Sequence, residues 1–224
     1  MYKISVKLLS DAMIGSGEGF CAIIDTDVVF DEIGIPYIPG RRIKGCLRDS
    51  ANEVLLMFKK SNIQGFIDTK RENGDFKIIG DIFGTPDKPS ALQISNLTIA
   101  DYENNKNCLK WLIKNHASIV QKNGVMSFFT SIRQQTKINE DGVAEENSLR
   151  TIRAVKKGNV FEGYIKADVD DIKIKRLLWL ACLNLRHIGT KRNRGFGEVK
   201  CALIENNQEF QELSELEGVC RLNV

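Results

Sequence analysis

The sequence has few of the residues that build metal centres. It contains only two histidines, His116 and His187, and none of its six cysteines forms a C-x-x-C pair. The two histidines are also not spaced like the partners in a zinc site. We therefore expect no zinc centre, and we interpret the cysteines as free thiols in a reducing, cytoplasmic setting.

Long apolar runs are also missing. No stretch reaches the ~18 consecutive apolar residues of a membrane span, so we expect no membrane partner. The first residues alternate between polar and apolar from Tyr2 to Leu8. This alternation predicts a half-buried strand at the N-terminus and not a signal peptide.

A large excess of one charge is lacking too, since the formal net charge is only +3. The cations are nevertheless clustered. Residues 41–48 contain four cations and no acid, and residues 186–200 contain five cations and one acid. Such clustering is typical of a surface that binds a polyanion.

The stretch from Gly189 to Gly197 combines three glycines with three cations. Its glycines permit positive φ and a close approach of the backbone to another chain, and we single out Gly195 and Gly197 for this role. Its cations, Lys191, Arg192 and Arg194, supply charge that binds phosphate. We interpret the stretch as a phosphate-gripping loop, with an ordinary basic turn after a helix as the alternative.

Hydrophobic periodicity predicts six core elements in the order strand, helix, strand, strand, helix, strand. They cover approximately residues 2–9, 41–60, 91–100, 159–167, 171–188 and 196–204. This order is that of a ferredoxin-like, RRM-related core, so we expect an α+β fold in a single domain over 1–224.

Three long insertions interrupt this predicted core. They are a loop at 10–40, an insertion at 61–90 and a thumb-like β-hairpin over 126–158, and a short helix is predicted at 108–121. The turn signal Asn139-Glu140-Asp141-Gly142 marks the tip of the hairpin.

Two predicted elements carry further candidates for contacts with phosphate. The helix at 41–60 has basic residues in its first turns, which oppose the helix dipole and therefore indicate another purpose for the charge. The candidates there are Arg41, Arg42, Lys44 and Arg48. The arms of the hairpin add Arg133, Lys137, Arg150 and Arg153, although an ordinary solvated hairpin would have a similar composition.

Four segments in the right order resemble the repeat-associated mysterious proteins of CRISPR systems, the RAMP superfamily. Residues 36–45, Pro-Tyr-Ile-Pro-Gly-Arg-Arg-Ile-Lys-Gly, resemble the family's "PYIPGSSLKG", and Asp81 to Gly84 resembles its "LFG" followed by the next strand. Residues 136–162 resemble its thumb region, and Gly189 to Gly197 resembles its glycine-rich loop. The family has small polar residues where Arg41 and Arg42 stand, so their assignment rests on charge alone.

The likeness is strongest to the repeated backbone subunit of type III effector complexes. It implies a subunit that binds a CRISPR guide RNA, contacts other copies of itself and other effector subunits, and cuts the bound target RNA in a metal-dependent reaction. The family's "GGxDxPVxRD" aligns with residues 22–31 and implies that Asp25 is catalytic and holds the divalent ion, Mg²⁺ or Mn²⁺. Asp27 remains the second candidate.

Two other functions within the superfamily remain open. One is a capping subunit that binds guide RNA without cutting, and the other is the guide-processing endoribonuclease. The latter usually relies on a histidine in the N-terminal half, and no histidine precedes His116. Phe196, between two glycines, is more typical of a core residue than of a base-stacking one.

Overall fold

The structure is a computed structural model that describes residues 1–15, 24, 27–72, 75–139, 142–145, 147–167, 171–190 and 194–222. Helices and an antiparallel sheet alternate along this part of the chain, as expected for an α+β protein. The helices are α1 Gly40–Lys60, α2 Lys77–Phe83, α3 Tyr102–Asn115, α4 Lys122–Phe129, α5 Ile172–Asn184 and α6 Leu213–Leu222. The strands are β1 Tyr2–Leu8, β2 Arg71–Glu72, β3 Asp75–Phe76, β4 Leu92–Ile94, β5 Thr98–Ile99, β6 Thr130–Gln135, β7 Arg150–Val155, β8 Val160–Ala167, β9 Val199–Glu205 and β10 Gln208–Glu209.

The main sheet has the strand order β10-β9-β1-β8-β4, and β5 also pairs with β8. All of its pairings are antiparallel, and β1 lies between β8 and β9. Because paired residues point to the same side, Val6, Phe161 and Cys201 lie side by side on one face. All three are buried, so this face of the sheet forms one side of the hydrophobic core.

Two helices cover that face. The helix predicted at 41–60 is α1, and its apolar residues at helical spacing are buried on one side: Ile43, Leu47, Ala51, Val54, Leu55 and Phe58. Helix α5 is buried nearly all round because it packs on both α1 and β9. Its N-cap is Asp171, whose carboxylate accepts a hydrogen bond from the Lys173 backbone N–H at 2.8 Å.

The hairpin forms a separate two-stranded sheet. Strands β6 and β7 pair antiparallel from Thr130↔Val155 to Gln135↔Arg150. Beyond them, an isolated bridge between Ile138 and Ala144 extends the arm. The first residues of the predicted span, 126–129, belong to helix α4, so the paired strands begin four residues later than predicted.

Four other bounds differ from the prediction. The strand expected at 91–100 is two short strands. Ser95 still donates its N–H to the Tyr164 carbonyl oxygen of β8, but Leu97 instead exchanges backbone hydrogen bonds with Ile38. The helix expected at 108–121 is α3, which begins at Tyr102 and ends at Asn115. The helix at 171–188 ends at Asn184, and the last strand begins at Val199. The insertion 61–90 contains α2, whose buried residues Ile78, Ile79, Ile82 and Phe83 join the core.

Candidate nucleic-acid interface

An open cleft beside the hairpin brings together cations from two distant parts of the chain. Its volume is about 990 Å³, and its lining includes Lys137 and Arg150 from the hairpin and Arg194 from the end of the glycine-rich loop. Arg150 and Arg194 are exposed, and Lys137 forms a solvent-exposed ion pair with Glu145 at 2.8 Å. Three of the predicted RNA-binding residues therefore line one surface.

The other two hairpin arginines form ion pairs with acids of the protein. Arg133 on β6 donates to Asp11 at 2.7 Å, and Arg153 on β7 donates to both carboxylate oxygens of Asp27 at 3.0 and 3.1 Å. The Arg153 guanidinium also lies over the Phe30 ring, 5.6 Å from its centroid. The structure therefore separates the four predicted hairpin cations into two that line the cleft, Lys137 and Arg150, and two that pair with acids outside the hairpin, Arg133 and Arg153.

Residues 11–13 connect the hairpin to the glycine-rich loop. Ala12 exchanges two backbone hydrogen bonds with Val155 of β7, and Met13 accepts a hydrogen bond from the Thr190 N–H at 3.2 Å. Asp11 accepts hydrogen bonds from Arg133, Ser131 and the Lys157 N–H. Burial alone would raise the pKa of Asp11, but these hydrogen bonds and the Arg133 charge lower it overall.

Two of the three described glycines of the loop approach the protein's own backbone. A Cβ on Gly189 would lie 2.3 Å from the Met13 carbonyl oxygen, and one on Gly197 would lie 2.0 Å from the Ile188 carbonyl oxygen. At Gly195 the φ is +76°, but a Cβ there would meet open space. Phe196 is buried with Met13, Ile152 and Ala154, as expected for a core residue. Lys191 and Arg192 lie outside the described residues.

The basic start of α1 lies next to this loop. Arg42 and Gly189 line the same small cavity of about 100 Å³. Arg41 and Arg42 also line an open cleft of about 480 Å³ with Tyr37 and Asn96. Arg42 at the start of α1 is therefore a neighbour of the glycine-rich loop in space.

The other two cations of α1 differ in their surroundings. The Lys44 ammonium donates to the Leu92 carbonyl oxygen of β4 at 2.9 Å, and burial, followed by the Arg48 charge, lowers its pKa. Lys44 therefore bridges α1 to the sheet. Arg48 is exposed.

The predicted catalytic aspartate, Asp25, lies outside the described residues. Asp27, the second candidate, is buried, and its carboxylate accepts hydrogen bonds from Arg153 and from the Val28 N–H. Asp31 accepts from the Ile33 and Ile35 N–H groups and from the Tyr102 hydroxyl. Among the described residues, no three histidine, cysteine or acidic side chains are grouped as a metal site would require.

Sequence reasoning missed Asp11 as an organising residue. It follows β1 in a loop with no motif around it, and its role depends on Arg133, 122 positions away. The available signal was an acid three residues after the end of β1, but the sequence alone does not show which residue pairs with that acid. The described cysteines, namely Cys46, Cys108, Cys182, Cys201 and Cys220, are all free thiols.

Comparison with known proteins agrees with this architecture. The chain is similar in fold to a protein chain in the cryo-EM structure of the Type III-B Cmr-beta bound to cognate target RNA. The two chains share 13% sequence identity and a TM-score of 0.60, and the match covers 90% of this chain and 96% of the other. The chain is also similar to one from the Cmr-beta apo state, with 14% identity and a TM-score of 0.60 over 92% and 98%. No curated protein matches the chain. No helix of the described residues has the length and apolarity needed to cross a membrane. The RAMP superfamily model matches residues 5–200, so the chain belongs to the RAMP superfamily.

Proposed function

We propose that this chain is a backbone subunit of a type III CRISPR interference complex, which binds guide RNA and cleaves the target RNA paired with it. The observation that carries the proposal is the cleft where Lys137 and Arg150 of the hairpin meet Arg194 of the glycine-rich loop. Exposed cations that converge from separate elements suit the repeated phosphates of an RNA backbone.

The fold supports the same proposal. The central strands β9-β1-β8-β4, with α1 after β1 and α5 after β8, have the order of a ferredoxin-like core. In this proposal the separate β6–β7 sheet would serve as the thumb hairpin. A similar chain is found in a structure bound to cognate target RNA, which supports RNA and other effector subunits as partners. Further copies of this chain along the guide are part of the proposal.

Cleavage is proposed to depend on Asp25. RNA carries its own nucleophile, the 2′-hydroxyl, and a carboxylate beside it can accept the proton of that hydroxyl. A divalent ion, Mg²⁺ or Mn²⁺, would add positive charge near the scissile phosphate when bound. The described carboxylates of this region, Asp27 and Asp31, already accept protein hydrogen bonds, so among the candidates Asp25 would hold the ion.

The test uses the complex assembled with guide RNA and presented with labelled target RNA. We expect Asp25→Asn to lower the cleavage rate by at least about 100-fold, as for loss of a general base, while guide and target binding stay unchanged. Asp49→Asn, an exposed residue on α1, is the matched control and should cleave normally. Normal cleavage by Asp25→Asn would refute the catalytic assignment.

A capping subunit that binds RNA without cutting remains the second candidate. The observation that favours it comes from the predicted loop at 10–40, called the Asp-bearing loop from here on. Its acids Asp27 and Asp31, which lie near Asp25 in sequence, both have protein partners. This alternative predicts no cleavage by the unaltered chain at any Mg²⁺ or Mn²⁺ concentration, together with normal guide binding.

A further inference from the structure

The Asp27–Arg153 ion pair joins the Asp-bearing loop to the hairpin. Asp27 is 5% exposed, and the Arg153 side chain is 16% exposed. One guanidinium nitrogen donates to both carboxylate oxygens, and the Val28 N–H donates to one of them as well. A pair so enclosed is costly to break, because loss of one partner leaves a buried charge without compensation.

The same hairpin is held at a second point by Asp11. Arg133 on β6 donates to Asp11, while Ala12 and Val155 of β7 exchange backbone hydrogen bonds. In the β6–β7 register, Ile132 faces Arg153 and Arg133 faces Ile152, so the two arginines occupy adjacent rungs on opposite strands. Each strand of the hairpin is thus anchored by an acid from the segment between β1 and α1.

Because of its existing contacts, little of the Arg153 guanidinium is available to bind a phosphate group. Its guanidinium faces Asp27 and the Phe30 ring, whereas Arg150, three residues earlier on β7, is exposed and lines the cleft. Strand β7 therefore presents one arginine to solvent and directs the other to the Asp-bearing loop.

We propose that Asp27 and Arg153 are positioning residues, which fix the Asp-bearing loop against the hairpin and do not themselves contact RNA. The proposal rests on the proposed function for its link to cleavage, since Asp25 precedes Asp27 by two residues. The ion pair holds Asp27 of the loop against Arg153 of the hairpin. RNA bound by the hairpin would therefore keep a fixed position relative to the loop.

The test compares Asp27→Asn, Arg153→Gln, Arg153→Lys and the double variant Asp27→Asn/Arg153→Gln with the unaltered chain. Backbone hydrogen exchange is measured over residues 27–31 and 150–155. We expect both single neutral variants to speed exchange in both segments by about tenfold or more, and the double variant, which buries no lone charge, to be less affected. Arg153→Lys should restore part of the protection because it keeps the charge.

RNA binding distinguishes positioning from contact. Arg153→Gln should leave the salt dependence of RNA binding unchanged, whereas Arg150→Gln on the same strand should lower the slope by ~0.7 and leave exchange at 27–31 unchanged. In the assembled complex, Asp27→Asn should slow cleavage without weakening target binding.

Two results would overturn the proposal. One is a lower salt slope for Arg153→Gln, which would make Arg153 an RNA ligand. The other is unchanged exchange at 27–31 in the single variants, which would mean that the pair does not hold the loop. If Arg150→Gln binds RNA normally, the proposed function fails instead, and the exchange measurements still decide whether the pair couples loop and hairpin.

Discussion

At the scale of single residues, two glycines of the glycine-rich loop have different surroundings. Gly197 makes room for the chain itself, because a Cβ there would lie 2.0 Å from the Ile188 carbonyl oxygen, and its φ is +77°. Gly195 has a similar φ of +76° but open space beside it. Gly195 therefore has the positive φ alone, whereas Gly197 has the positive φ together with steric crowding.

This difference predicts unequal costs for two equivalent substitutions. Gly195→Ala introduces only the strain of positive φ, about 1–2 kcal/mol. Gly197→Ala adds a clash with the backbone of residue 188 and should lower the free energy of unfolding by a clearly larger amount. Chemical denaturation of both variants provides the measurement. Equal losses would show that the Ile188 contact relaxes without cost.

At the scale of elements, the hairpin depends on acids that lie outside it. Asp11 and Asp27 belong to the segment between β1 and α1, yet they pair with β6 and β7 respectively. A two-stranded hairpin alone is marginally stable in water, so these anchors explain how an arm with a largely exposed β6 keeps a defined position.

The Asp11 anchor predicts a pH dependence. Its folded-state pKa is lowered, so its contribution to stability is fully present above the unfolded value of about 3.9 and is lost as pH falls through the lower folded pKa. We expect Asp11→Asn to flatten the decline of the unfolding free energy below about pH 4. Urea denaturation between pH 2 and 7 measures this, and Arg133→Gln should flatten the decline partly, since the hydrogen bonds from Lys157 and Ser131 remain. A decline as steep as in the unaltered chain would contradict the assignment.

The elements also show where sequence reasoning succeeds. Strand β1 and the apolar stripe of α1 follow from strict periodicity, because each has one buried and one exposed side. Helix α2 was missed, since seven residues containing Gly80 give too little pattern. Helix α3 was placed six residues late because it has no fully buried residue, and its apolar periodicity is therefore weak.

The candidate site could be predicted from the sequence only in part. The clusters of cations at α1 and at the glycine-rich loop stand out in the sequence, and Arg42 and Gly189 do line one cavity. The division of the hairpin arginines could not be predicted, because Arg133, Arg150 and Arg153 look alike in sequence. Only tertiary structure shows that Arg133 and Arg153 meet acids while Arg150 lines the cleft.

At the scale of the whole molecule, the placement of charge matters more than the total. The net charge of +3 is small, but the cations cluster in sequence, and Arg42 at the start of α1 lines one cavity with Gly189 of the glycine-rich loop. A surface of this kind binds RNA with a salt dependence that counts its phosphate contacts.

Removing charge at two places therefore has different effects. We expect the triple variant Lys191→Ala/Arg192→Ala/Arg194→Ala to lower the salt slope of guide binding by up to ~2, at ~0.7 for each lost single-strand contact. The matched control, Lys59→Ala/Lys60→Ala/Lys114→Ala, removes the same charge from exposed helix ends and should keep the slope. Guide-RNA binding isotherms at several salt concentrations measure the slope of the binding constant against salt. Equal slopes in the two triple variants would refute a specific role for the loop.

The central position of β1 has a consequence for biosynthesis. This strand is made before its two sheet neighbours, β8 and β9, which begin only at Val160 and Val199. At ribosomal rates of about 5–20 residues per second, β1 waits on the order of ten seconds for its first partner. During that time its backbone N–H and C=O groups have no sheet partner. Folding of the sheet is therefore late and rich in non-local contacts, and nascent chains in which β8 has not yet been made are the form most in need of a chaperone.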